Sequence, residues 1–405
     1  MLISLQKKVG WAALLLAMLA SFSPTTTAMA GTAPVTTVLT PPMYENLSTP
    51  VSIAMDPRGF YYVADPRKGT VNKFDLSGKL LQTFRLASAP RAVALDNSGN
   101  LLVSLGTSVA LVDQQGAQQL LLGSGQGQFQ YAVGIAVDAR GYIWVADNQA
   151  HNVTLFTSAG TVVKTIGGLG NGTGQFDFPV GVSYEKVADQ VVVADAGNHR
   201  LQFFDAAGNN AFVKSIGSFG SGPLQFQYPV GSGFEYSQAG QLNRMYVADQ
   251  HLSTVQVLDP AGIGTFLKFI GYSGLVSGTV TNPMAIGFDA TNKRLIVVNG
   301  NGRLHLFGID GGVNPGLPQG LVIDPVLTEV KGPSLTITGT FPPNTTVEMQ
   351  INGIAASEPV SYTSASTWSA TFQNLVPGSN VLTAIARDAR GYMITKQAIA
   401  ILYSP

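Results

Sequence analysis

Between Pro179 and Gly222 the chain runs PVGVSYEKVADQVVVADAGNHRLQFFDAAGNNAFVKSIGSFGSG. Four short apolar runs, VGVSY, QVVVAD, RLQFFD and FVKSIG, are separated by polar and glycine-rich steps, and this pattern predicts four antiparallel strands joined up-and-down. The unit recurs. Each first strand opens with Pro or a stand-in and an apolar pair, at Pro50, Pro90, Ala132, Pro179, Pro229 and Pro283, with spacings of 40, 42, 47, 50 and 54 residues. A period of this size with four strands per unit is the signature of propeller blades rather than of helical solenoids.

The second strand of each unit closes on a tetrad: Tyr62-Val63-Ala64-Asp65, Trp144-Val145-Ala146-Asp147, Val192-Val193-Ala194-Asp195 and Tyr246-Val247-Ala248-Asp249. Two units depart, with Leu102-Val103-Ser104-Leu105 and Ile296-Val297-Val298-Asn299. Turns of the form Asp-x-x-Gly punctuate the strands, at Asp56, Asp75, Asp96, Asp113, Asp138, Asp205 and Asp259. Asp at the first position accepts turn N–H groups and Gly at the fourth takes positive φ, so these acids read as turn formers rather than calcium ligands. Asp289 to Asn292 is the same turn with Asn in place of Gly. The sixth unit supplies only three strands, and Val35 to Leu39 is the expected fourth, closing the ring.

Ala194-Asp195-Ala196-Gly197-Asn198-His199-Arg200-Leu201 resembles the NHL repeat, a family named for its Asn-His-Leu signature. The resemblance implies a six-bladed β-propeller over residues 31–310. After a Gly/Pro stretch at 311–323 the pattern changes, and residues 324–405 read as a small sandwich of six or seven strands. Trp368 to Phe372 and Leu375 to Gly391 resemble bacterial immunoglobulin-like modules of exported proteins, with Tyr392 where such modules usually carry Asn. The expected fold is all-β: a six-bladed propeller followed by an immunoglobulin-like sandwich.

The first thirty residues read as a secretory signal: Lys7 and Lys8, an apolar run from Val9 to Ala20, and Ala28-Met29-Ala30 as the cleavage motif. The run is shorter than the roughly 20 residues a spanning helix needs. Cleavage after Ala30 removes both lysines and no acid, leaving 21 basic and 23 acidic residues, a formal charge of −2. The expected location is the periplasm, the outer surface or the medium, with no membrane-spanning segment in the mature chain. So little net charge offers no field for phosphate backbones, and nucleic acid is not an expected partner. The absence of cysteine excludes disulfides, thiolate catalysis, thiolate zinc sites and an acylated amino-terminal cysteine.

No catalytic residue, metal site or cofactor is predicted. His151 and His199 occupy the same repeat position, His251 another, and His305 lies inside a third strand, so the registers do not bring three imidazoles together. There is no Gly-x-Ser-x-Gly elbow, and no spacing marks a pair of catalytic acids. The loops before the third to sixth units, among them Gly127 to Tyr131, Gly174 to Phe178 and Leu224 to Tyr228, carry aromatics read as fillers between blades, with a recognition rim as the second reading. Loops on one face should gather Arg67, Lys68, Asn148, His151, Asn198, His199, Arg200, Gln250 and His251 as candidate binding residues, with Arg67, Lys68, Gln250 and His251 the ones lacking a repeat duty. The function these features point to is an exported, non-catalytic scaffold binding a protein or glycan through the propeller face. The alternative is a metal-dependent hydrolase or lyase working in the central channel, as the resemblance to lactonase-type hydrolases and antibiotic lyases implies; acids and imidazoles converging on the axis would mark it.

Overall fold

The computed structural model describes residues 31–43, 46–123, 129–261, 264–272, 278–313, 321–342, 345–356, 358–364, 366–387, 391 and 393–405. The region expected to be a signal lies outside them. Among the described residues the only helix is the single 3-10 turn Ala196–Asn198, and no helix is long and apolar enough to cross a membrane.

The repeats fold into antiparallel sheets of four strands each, in chain order, as in Pro179–Glu185, Gln190–Asp195, Arg200–Asp205 and Phe212–Ile216. The first strands of successive sheets pack against one another, and the first strand of the last, Pro283–Asp289, packs back on Ser52–Asp56. This is a propeller. Its second strands are buried almost end to end rather than alternately, as in Ile143–Asp147 and Arg294–Asn299. Both of their faces are covered by neighbouring sheets, so the near-continuous apolar tetrads are what such strands require. The outer strand Val162–Gly167 is mostly exposed.

The core consists of the seams. Phe129 packs among Val109 and Leu122 of one sheet and Val145 and Phe156 of the next; Phe176 lies with Ala146 and Val193, and Phe226 with Ala194 and Val247. Val280 fills the corresponding place before the last sheet. Phe129, Phe176 and Phe226 are therefore fillers, and a recognition rim has to be built from their neighbours.

Five of the Asp-x-x-Gly turns form as expected, with Gly59, Gly78, Gly99, Gly116 and Gly141 at positive φ and each glycine N–H donating to the aspartate carbonyl. Two turns differ. At Asp205 the positive φ falls on Asn210 rather than Gly208, and at Asp289 on Lys293 rather than Asn292. These two connections need more residues than a four-residue turn, which moves the left-handed position along the chain. Gly262, of the turn expected at Asp259, lies outside the described residues.

The missing strand of the last sheet is Thr36–Met43, antiparallel to Arg303–Ile309 with Val38 opposite Phe307. The same strand pairs on its other edge with Val326–Leu327, Val38 also facing Val326. Carboxy-terminal to the ring, two further sheets share one apolar core. One holds Val322–Ile323, Leu335–Thr340, Thr367–Phe372 and Ser361–Tyr362; the other holds Glu329–Val330, Met393–Tyr403, Gly378–Arg387, Thr346–Ile351 and Ile354–Ala355. Trp368, Phe372, Met349, Leu382 and Ile399 meet there, and Val38 joins them. Of the stretch read as a linker, Gly312 and Val313 donate back to Ile309 and Asn292 of the ring. Leu321 and Ile323 already lie in the carboxy-terminal core, and residues 314–320 lie outside the described ones.

Candidate functional site

The loops between second and third strands and the loops entering the first strands meet on one face because the tetrad aspartates pin them together. Asp147 accepts the Gln130 and Tyr131 N–H groups at 2.6 and 2.9 Å, and Asp249 those of Gln227 and Tyr228 at 2.7 and 3.1 Å. Asp195 accepts from Asp177 N–H at 2.7 Å, and Asp65 from Ser48 N–H at 2.5 Å. All four carboxylates are buried, and a buried carboxylate needs several donors to offset its lost hydration. The two divergent sheets make the same connection with other chemistry. Asn299 Oδ1 accepts Thr281 N–H at 3.2 Å, and the Ser104 hydroxyl donates to the Ala132 carbonyl at 2.7 Å.

The candidate residues separate into three groups. Asn198, Arg200, His151 and His199 hold loops. Asn198 Nδ2 donates to Gly170 carbonyl at 2.9 Å, and Arg200 bridges Asp195 at 2.8 Å and the Gly172 carbonyl at 2.8 Å. Both histidines adopt positive φ, 52° and 59°. His199 Nδ1 donates to the Gln227 carbonyl at 2.7 Å, whereas His151 Nδ1 accepts Phe178 N–H at 3.1 Å, a contact shorter than its 3.4 Å approach to Asp177. One repeat position thus uses two tautomers. The second group, Asn148 and Gln250, stands at the mouth of the axial cavity. The third, Arg67, Lys68 and His251, is exposed. Lys68 Nζ donates to Asn46 Oδ1 at 2.8 Å, and His251 stacks on Tyr228 with ring centroids 4.8 Å apart.

The cavity has a volume of about 330 Å³ and is walled by the first strands of all the ring sheets. Its wall mixes branched apolar side chains, among them Val51, Ile53, Val133, Val182 and Ile286, with the hydroxyls of Ser52, Ser183 and Ser232. Gly134 and Gly181 keep it tight: a Cβ on either would stand 2.4 or 2.2 Å from the carbonyl oxygen of Val180 or Val230 on the next strand. Polar groups collect at the mouth: Arg91, Tyr131, Asn148, Tyr228 and Gln250. The Arg91 guanidinium lies 5.3 Å from the Tyr131 ring centroid, within cation–π range. Burial pushes the Tyr228 phenol above its ordinary pKa, so it is a neutral hydrogen-bonding group. Among the described lining residues there is no Asp, Glu or His, and no group of three or more such residues is placed to hold a metal ion.

Arg91 is absent from the candidates drawn from sequence, although the signal is there. In the aligned strand openings the residue after Pro or its stand-in is Val or Met in five units and Arg in one. Around the mouth, Leu169 and Phe219 project from the long loops at 67% and 66% exposure, with Phe178 beside them at 44%. Phe178 and Phe219 lean on His151 and His199, at 4.7 and 4.9 Å between ring centroids.

Residues 176–204 match the NHL repeat. No curated protein matches the chain. Among solved structures, an auxiliary nutrient binding protein from Bacteroides thetaiotaomicron VPI-5482 superposes with a TM-score of 0.55 at 11% identity, over 68% of this chain and 76% of that one. Another auxiliary nutrient binding protein, from Bacteroides ovatus ATCC 8483, gives 0.53 at 15% identity, over 69% and 77%. Virginiamycin B lyase from Staphylococcus aureus gives 0.46 at 11% identity, over 68% and 98%. At these identities the likeness is one of fold.

Proposed function

We propose that the chain is an exported, non-catalytic binding protein: a six-bladed NHL-type propeller that takes a protein or glycan partner on its loop face, carried with an immunoglobulin-like sandwich. The blade count rests on the closed succession of first strands with Thr36–Met43 completing the last sheet, and the sandwich reading on two sheets around Trp368. Export rests on the Ala28-Met29-Ala30 motif behind a short apolar run. Two of the similar folds are auxiliary nutrient binding proteins, which agrees with a binding function.

One observation carries the reading. Exposed side chains, apolar in Leu169 and Phe219, cationic in Arg67 and aromatic in His251, share the face onto which the axial cavity opens. The described walls of that cavity offer the hydroxyls of Ser52, Ser183 and Ser232, the phenols of Tyr131 and Tyr228 and one cation, Arg91, with no carboxylate or imidazole beside the hydroxyls. The metal-dependent hydrolase or lyase alternative calls for carboxylate or imidazole ligands at the axis, and the described lining holds neither.

The test compares the mature protein with a variant carrying Arg67→Ala, Lys68→Ala, Gln250→Ala and His251→Ala, against an array of envelope glycans and in capture from the native envelope. The variant is expected to melt with the parent and to lose partner binding about tenfold or more, since loss of a few interface anchors costs over 1 kcal/mol each. Undiminished binding would move the site off this face.

A further inference from the structure

The residues before the ring-closing strand lie in a site of their own, on the side of the propeller where the strand 3–4 turns lie. The Gly31 backbone nitrogen donates to Asp259 Oδ2 at 2.7 Å. The next carbonyl, of Thr32, accepts from Arg244 Nε at 2.9 Å. Val35 N–H donates to Asp310 Oδ1 at 2.9 Å, and Arg244 in turn pairs with Asp310 at 2.7 Å and Glu235 at 3.0 Å. The arm is thus held by alternating acid and base from two successive sheets before it enters the last one as a strand.

Asp259 is unlike its counterparts. Asp75, Asp113 and Asp205 occupy the same turn in other sheets and are half-buried, whereas Asp259 is 6% exposed beneath the arm. Three other buried turn acids have an arginine: Asp56 pairs with Arg58 at 2.7 Å, Asp138 with Arg140 at 2.8 Å and Asp289 with Arg294 at 2.8 Å, whereas Glu185, also buried, accepts the Val187 and Ala188 N–H groups. Among the described residues no lysine or arginine pairs with Asp259; its recorded donors are the N–H groups of Gly31 and Ala261. The buried loop aspartates Asp147 and Asp249 are held by three N–H groups each, and a buried carboxylate with fewer donors gains most from a charged one. A side chain at position 31 would be tight, since a Cβ would stand 3.2 Å from Asp259 Cγ and 3.3 Å from the Asn243 carbonyl oxygen.

Processing would create a cation at this nitrogen. Hydrolysis of the Ala30–Gly31 bond consumes one water, leaves a carboxylate on Ala30 and an amine on Gly31, and that amine takes a proton at neutral pH. We propose that Asp259, with Arg244 and Asp310, forms a capture site for the mature amino terminus, in which the Gly31 ammonium pairs with the Asp259 carboxylate and latches the ring-closing strand. The sequence motif and the carboxylate were found independently and meet at the same nitrogen.

The test uses the exported protein. Its intact mass is expected to correspond to a chain beginning at Gly31; any other amino terminus overturns the proposal. The second measurement is the rate at which an amine-acylating reagent modifies the terminal α-amino group at neutral pH, read by peptide mass spectrometry. A carboxylate partner stabilises the ammonium, and each pKa unit gained lowers the reactive free-amine fraction about tenfold. The mature chain is expected to react at least about tenfold more slowly than its Asp259→Asn variant. A chain beginning at Ala30 keeps Asp259 but carries its amino group one residue farther out, and is expected to react as fast as an unstructured peptide. It serves as the comparison if Asp259→Asn does not fold. Equal rates in the mature and extended chains overturn the latch.

Discussion

Val38 faces Phe307 across one edge of its strand and Val326 across the other, so a single residue belongs to the last sheet of the propeller and to the carboxy-terminal core. Closing the ring and seating the sandwich are therefore one event in packing terms. Val38→Ala removes two buried carbons from that junction and is expected to cost about 2 kcal/mol. A chain beginning at Pro50, lacking the strand altogether, should lose more, because Arg303–Ile309 would be left with an open edge. Thermal melting checks both. A Pro50 chain that melts with the mature protein would mean that the strand contributes nothing.

The loop pins make a separate prediction. Asp249 accepts N–H groups from Gln227, Tyr228 and Leu252. Asp249→Ala strands all three, at roughly 1–3 kcal/mol for each buried donor that water does not reach. Amide hydrogen exchange at Gln227 and Tyr228 should accelerate more than at the second strands. Uniform acceleration across the ring would show that the pin acts on the whole fold rather than on its loop.

Glycines along the axis are expected to differ in kind. Gly181→Ala drives a methyl to 2.2 Å from the Val230 carbonyl oxygen, an overlap that backbone must yield to, and should cost about 1–3 kcal/mol or more. Gly231→Ala meets nothing within 4 Å and should change stability by less than about 0.5 kcal/mol. Melting of the two variants side by side decides it, and a destabilised Gly231→Ala would contradict the packing described for the axis.

His305 supplies a pH dependence. It is buried in the third strand of the last sheet, where Nδ1 donates to the Thr279 carbonyl at 2.5 Å and Nε2 has no partner. Burial lowers its pKa from 6.5 to about 4, outweighing the bond to Thr279. The unfolded chain then binds the proton more readily than the native one between these values. The stabilisation is full above pH 6.5 and is lost as pH falls from there towards 4, by up to about 3 kcal/mol. His305→Gln should flatten the stability profile in that window. An unchanged slope would place the acid sensitivity elsewhere.

Much of the ring was readable along the chain because it is set locally. Alternation and turn chemistry involve a handful of neighbours, so the four-strand unit, its tetrad and five of the Asp-x-x-Gly turns follow from runs of four to six residues. Even the closing strand was legible, as an apolar segment without a partner opposite a sheet short of one. Convergence was not. That His151 and His199 clasp loops through opposite tautomers depends on which backbone group the neighbouring sheet presents, and Phe178 and Gln227 present different ones. Arg91 reaches the cavity mouth only because the first strands close around an axis, bringing it beside Tyr131, 40 residues on. Asp259 reads as one more turn aspartate, and only the arm laid across it, 228 residues away in sequence, makes it a buried carboxylate lacking a cation among the described residues. The sequence by itself determined the strands, the turns and their period, because those are short-range. The tertiary structure alone decided which side chains share a site, because packing between sheets sets those distances and no local pattern records it.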